Sequence, residues 1–149
     1  MGKKRVFEEL NMNANPAVRP LPHASIAPWL TVACDAKAIE FYKSAFGASE
    51  VYRHDSPTGG AVVRLSVNGA EFWVSEDPQK SPESARQLLG GDSVRIILTV
   101  DDPDALFARA LAAGASEIFP VSEGHGWRVG RLADPFGLHW ELGHPLVAN

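Results

Sequence analysis

The feature that most constrains this 149-residue chain is that it spells out nearly the same unit twice. Gly47-Ala48-Ser49-Glu50-Val51-Tyr52 returns as Gly114-Ala115-Ser116-Glu117-Ile118-Phe119, six matched positions of which four are identical. At the same offset Asp35 matches Asp102, Ala38 matches Ala105, Ile39 matches Leu106 and Ala45 matches Ala112. One residue out of phase, Leu30-Thr31-Val32 returns as Leu98-Thr99-Val100. A repeat of this length marks a duplicated supersecondary unit, so the fold of one half dictates the fold of the other.

Each half reads as strand, helix and three more strands. Alternation over Ile26 to Val32 predicts the opening strand, with Pro28 tolerated near its start. Asp35 is placed to cap a helix whose Ile39, Tyr42 and Phe46 recur at helical spacing, and Gly47 supplies the left-handed stop. Val51 to Arg53, Ala61 to Val67 and Glu71 to Ser75 predict the remaining strands, with Asn68-Gly69 as a hairpin turn. In the second half Asp102 caps the helix, Pro103 takes its first position, and Gly114 ends it. Asp134-Pro135-Phe136-Gly137 stands in the place of Asn68-Gly69.

The modules are placed at 26–75 and 94–145, joined by a linker over 76–93. In that linker Ser81-Pro82-Glu83-Ser84 starts a short helix that closes at Gly90-Gly91. Residues 1–24, with prolines at 16, 20 and 22, read as an N-terminal arm. The expected fold class is α+β: two tandem βαβββ modules forming an eight-stranded open barrel around a cleft. One helix covers only one face of a four-stranded sheet, so the concave faces are expected to pair, within one chain or between two.

Composition excludes several classes of function. Fourteen Lys+Arg against eighteen Asp+Glu give a net charge of −4 and a pI near 5.7, the wrong balance for a nucleic-acid partner. The single Cys34 has no internal disulfide partner. The longest apolar runs are broken by Arg64 and Arg95, and none reaches the ~18 residues of a membrane span, so no membrane partner is expected. Lys3, Lys4 and Arg5 lead into Phe7, Glu8, Glu9 and Asn11 rather than an apolar stretch, which gives no secretory signal and a cytoplasmic expectation. No Gly-x-Ser-x-Gly elbow, Walker loop or His-Glu-x-x-His motif occurs, and the glycine-rich Gly124 to Gly130 precedes a strand rather than a helix.

The opening that ends in Ala45-Phe46-Gly47-Ala48, the Val100-Asp101-Asp102-Pro103-Asp104-Ala105 start of the second half, and the hairpin Asp134-Pro135-Phe136-Gly137-Leu138-His139-Trp140-Glu141-Leu142 resemble the vicinal oxygen chelate superfamily. That group includes glyoxalase I, bleomycin-resistance proteins, fosfomycin-resistance proteins and extradiol dioxygenases. The resemblance runs from Ile26 to Pro145. It implies a divalent ion held by inward side chains of the first and last strands of each module, typically His or Gln and Glu. In this chain those positions fall on Ala27, Trp73, Arg95 and Glu141. Alanine offers no donor atom and a guanidinium is a permanent cation, so Glu141 alone survives where about three protein ligands are needed. No cofactor is therefore expected, and a divalent metal stays possible only through Glu141 with help from His139 or substrate oxygens.

Arg95 and Glu141 are expected to form an ion pair at the vacated position, either as plain charge compensation or as part of a ligand site. His139 shares a strand face with Glu141. Trp29 and Trp73 alternate onto the same kind of face, where they wall an aromatic pocket or fill the core. Trp127 and Arg128 border the cleft in the resembled family and are placed as a gate. The resemblance also implies a homodimer. The leading expectation is a cleft that binds a small organic ligand through Arg95, Trp29, Trp73, Trp127 and Arg128 without a tightly held catalytic metal. The alternatives are a lyase, isomerase or transferase using Glu141 and His139 as acid and base, and a purely structural dimerisation partner.

Overall fold

The computed structural model describes residues 24–77, 79 and 94–146. The expected linker helix and almost all of the expected arm lie outside them. Module one comprises β1 (Trp29–Val32), α1 (Asp35–Phe46), β2 (Ser49–Asp55), β3 (Ala61–Val67) and β4 (Ala70–Glu76). Module two comprises β5 (Arg95–Thr99), α2 (Pro103–Ala112), β6 (Ser116–Gly124), β7 (Trp127–Ala133) and β8 (His139–Pro145). The strand orders are β1-β4-β3-β2 and β5-β8-β7-β6, in two four-stranded sheets. In each, the opening strand runs parallel to the closing one and the other pairs are antiparallel. The repeat in sequence is thus a repeat of topology, and the open barrel consists of two half-barrels that do not close on each other.

Local chemistry explains most boundaries. β1 begins at Trp29, three residues later than alternation suggested, because Pro28 has no N–H to give; its carbonyl instead accepts from the Trp73 N–H at 2.8 Å. Asn68 and Gly69 take φ of 50° and 93°, the successive left-handed pair that a tight hairpin requires. Asp102 caps α2 as expected, accepting from the Ala105 N–H at 2.9 Å. Asp35 does not cap α1. The N-cap is Cys34, without a side-chain bond, and the buried Asp35 carboxylate accepts from Ala36 and from Ala61 at the head of β3, tying helix to sheet.

The helix-bearing sides of the two sheets meet. The Trp140 ring of β8 lies 4.8 Å from Phe46 and 5.6 Å from Tyr42 of α1, and 5.4 Å from Phe72 of β4. Into this shared core projects the carboxylate of Asp134. Its Oδ2 accepts from Tyr42 Oη at 2.6 Å and from Trp140 Nε1 at 2.9 Å, and its Oδ1 accepts the N–H groups of Phe136 and Leu138 at 2.9 Å each. Burial pushes the Asp134 carboxyl above the usual aspartate range. Burial, and then the charge of Asp134, push the Tyr42 phenol well above its own. Arg109 reaches from α2 to the last carbonyls of α1, donating Nε to Ser44 O at 2.6 Å and Nη2 to Lys43 O at 3.4 Å, where a cation suits the negative helix end.

With their helix sides joined, the other face of each sheet is turned outward: Trp29 is 55% exposed on one and Ile97 63% exposed on the other. Among the described residues no helix is long and apolar enough to cross a membrane.

Tyr42→Phe removes one donor to a buried carboxylate and is expected to cost about 1.5–3 kcal/mol, read as a lower urea midpoint at unchanged m-value. A pH dependence follows from Asp134. The native state holds its proton above the pH at which the unfolded chain releases it. The stability linked to this proton is therefore fully present below the ordinary aspartate pKa and is lost as pH rises through the raised one. Glu50, lowered by its bonds to Lys43 and Arg53, and Asp104, lowered by Arg128, act with the opposite sign. Urea midpoints from acid to neutral pH are therefore expected to show a smaller decline with rising pH in Asp134→Asn than in the parent chain.

Candidate functional site

Strand alternation divides each sheet into a helix side and an open face. On the first open face one row crosses all four strands: Trp29 opposes Trp73, Trp73 opposes Arg64, and Arg64 opposes Tyr52. Pairing in register brings the side chains into contact. Trp29 and Trp73 stack at 5.6 Å with 14° between their planes. The Trp29 indole N–H donates to Ser75 Oγ at 2.9 Å, and Tyr52 meets Trp73 edge-on at 5.6 Å. The Arg64 guanidinium lies 5.3 Å over the Trp73 ring and 3.5 Å from Glu71. The result is an aromatic platform held from the side by one cation.

The corresponding row on the second face is Ile97, Glu141, Arg131 and Phe119. Here the centre is ionic. Glu141 Oε1 stands 3.5 Å from Arg95 Nη1 and 3.5 Å from Arg131 Nε, so one carboxylate is shared by two guanidiniums. Arg131 also lies 5.8 Å over Phe119. Arg95 is half exposed, whereas the Arg131 side chain is 16% exposed. His139 opposes Arg95 on the same face.

Among the described residues three buried side-chain polar atoms have no hydrogen-bond partner: Arg64 Nε, Arg131 Nε and His139 Nδ1. All three belong to the open faces. An unmet buried donor costs roughly 1–3 kcal/mol, so these faces carry polar demand that the packed helix sides do not.

Trp127 opens β7 on this second face, opposite Pro145, with its ring 3.2 Å from where a Cβ on Gly143 would sit. Arg128, its neighbour, cannot share that face. It lies on the helix side, where Nε and Nη2 donate to the Asp104 carboxylate at 2.6 Å each and clamp β7 to the start of α2. Arg128 thus stands on the opposite side of β7 from Trp127, because adjacent strand residues point in opposite directions. Ala27 precedes β1 and is exposed.

The sequence reading passed over Arg64 and Arg131, the two central cations. The signal was available: Arg131 follows Arg64 at the same offset by which Phe119 follows Tyr52 and Gly114 follows Gly47.

The positions at which the resembled superfamily holds a divalent ion do not fit one here. Ala27 and Trp73 lack donor oxygens or imidazoles, and Trp73 is committed to its stack on Trp29. Glu141, the one carboxylate, is flanked by two positive groups at 3.5 Å, which disfavour a further cation there. The one group of clustered metal-type side chains among the described residues, Cys34, Asp35 and Glu76, lies elsewhere, and Asp35 already serves two backbone N–H groups.

The family profile described as glyoxalase-like domain matches residues 30–143. The chain belongs to the glyoxalase-like domain family, within the vicinal oxygen chelate superfamily. This glyoxalase-like chain is 41% identical over 127 residues to the uncharacterized Mycobacterium tuberculosis protein Rv0887c, covering 82% of this chain and 75% of that one. It is 28% identical to the crystal structure of the Arabidopsis thaliana At5g48480 product, with a TM-score of 0.59 over 80% of this chain and 98% of that one. A glyoxalase family protein from Bacillus cereus shares the fold, at a TM-score of 0.67 and 16% identity, over 88% and 99% of the two chains.

Removing the half-exposed Arg95 as Arg95→Ala is expected to cost under about 1 kcal/mol. Arg131→Ala, which strips Glu141 of its better buried partner, is expected to cost about 1–3 kcal/mol. Chemical denaturation of the two variants side by side checks the ranking.

Proposed function

We propose that this glyoxalase-like chain is a small-molecule binding protein that acts as a homodimer and holds an organic ligand against its open sheet faces, with no resident divalent ion. The observation that carries the reading is the Trp29–Trp73 stack, built like a ligand platform, with the Trp29 ring left facing solvent. Ligand sites combine apolar and aromatic walls with a few placed polar groups. Here the aromatic wall stands on module one and the ionic cluster of Arg95, Glu141 and Arg131 on module two.

Within one chain these faces are not paired with each other, and they leave large apolar side chains in water: Trp29, Tyr52, Ile97 and Phe119 are each 47–63% exposed. A second copy related by a twofold axis can lay its module-two face on the module-one face of the first. Both surfaces are then covered, and two equivalent clefts form, each with one wall from either chain. The vacated ion positions support binding without metal, since the charge at Glu141 is already met by protein.

One observation favours a second reading, in which His139 and Glu141 serve as acid and base: His139 Nδ1 is buried without a partner on the same face as Glu141. Turnover of a bound compound that is abolished in His139→Gln at unchanged affinity would select that reading.

Sedimentation velocity at micromolar concentration is expected to show a dimer, and Ile97→Glu, at a site 63% exposed in the lone chain, a folded monomer. A monomeric parent protein would sink the paired-face reading. Elemental analysis is expected to find far less than one Mn, Fe, Ni or Zn per chain, and a stoichiometric ion would overturn the metal-free one.

A further inference from the structure

The open faces carry a charge of opposite sign to the molecule. The whole chain is at −4, yet on the first face Arg64 and Glu71 balance, while on the second Arg95 and Arg131 are met by Glu141 alone. One guanidinium is in excess. The contacts of Glu141 to both arginines are 3.5 Å, ion-pair distances rather than hydrogen bonds, and the Nε of Arg131 is buried without an acceptor. Each guanidinium has five donors in a planar fork suited to a carboxylate. Glu141 leaves most of that capacity unused.

The opposite wall has a different preference. Trp29 and Trp73 lie within 14° of parallel, with the Arg64 guanidinium over the same indole. Such a surface favours a flat conjugated system. The single excess charge disfavours a cation and is too little for a dianion.

We propose that the ligand is a planar organic monoanion, an aromatic or conjugated carboxylate, with its carboxylate on Arg131 and Arg95 and its ring on the Trp29–Trp73 platform. This rests on the ligand-binding reading above and specifies its chemistry. Arg131 is the specificity-determining residue, since Arg95 is half exposed and screened by solvent.

Three probes of one shape test the inference in calorimetric titrations of the intact dimer: naphthoate, the neutral naphthamide and the cationic naphthamidinium. Naphthoate is expected to bind at least about tenfold more tightly than the amide, and the cation not measurably. Arg131→Gln is expected to erase the preference for anion over amide, read as the ratio of the two affinities in the same variant. Trp73→Ala is expected to weaken both probes alike. Glu141→Gln, which keeps the shape and removes the competing charge, is expected to tighten naphthoate, so the inference stays open to test even if Arg131→Gln fails to fold. Equal affinity for carboxylate and amide, or looser naphthoate binding in Glu141→Gln, would overturn the monoanion while leaving the binding reading intact. Failure of all three probes to bind a protein that is dimeric would overturn both.

Discussion

Four donors converge on the buried carboxylate of Asp134, and they come from both halves of the chain: the phenol of Tyr42 in module one, and the Trp140 indole and two backbone N–H groups in module two. A charge taken out of water in this way is stable only when its lone pairs are met. Asp134 is met by four donors that favour its charged form, yet burial outweighs them and holds its proton more firmly than in water. The requirement that all four donors reach one point sets α1 against β8 and so joins the halves by their helix sides. The outward aspect of both open faces follows from that junction.

Duplication supplied two equivalent rows of side chains, and the rows have since divided their chemistry. Tyr52, Arg64, Trp73 and Trp29 make a π-rich surface in one; Phe119, Arg131, Glu141 and Ile97 make an ionic one in the other. The aromatic on the second strand and the arginine on the third are common to both. The difference sits on the first and fourth strands, where the superfamily resemblance places ion ligands.

The repeat, the strand and helix identities, the hairpins and the shared strand face of His139 and Glu141 were legible because each is set by local rules: turn residues, capping chemistry and period-two alternation; the resemblance points that face into a cleft, whereas in the single chain the open faces are turned outward. What was not legible depended on parity or on distant contacts. Trp127 and Arg128 read alike as loop-border residues, and only the start of β7 at Trp127 decides which of the two faces outward. Asp35 looks like a cap from its neighbours alone, and its bond to Ala61 is invisible in a linear reading. Arg131 lies on a third strand, whereas the ion-ligand positions of the resembled superfamily fall on first and fourth strands, and only its offset from Arg64 marks it. The junction of the halves turns on Tyr42 and Asp134, 92 residues apart.

The reach of Arg109 across that junction has an evolutionary corollary. The final turn of α1 takes its positive complement from a side chain encoded in the other copy, just as Tyr42 finds its acceptor there. Once such borrowings accumulate, neither copy retains all that an autonomous ancestor must have owned, and a split of the gene at the internal boundary would leave two fragments each missing pieces held by its twin. The duplication has become entrenched.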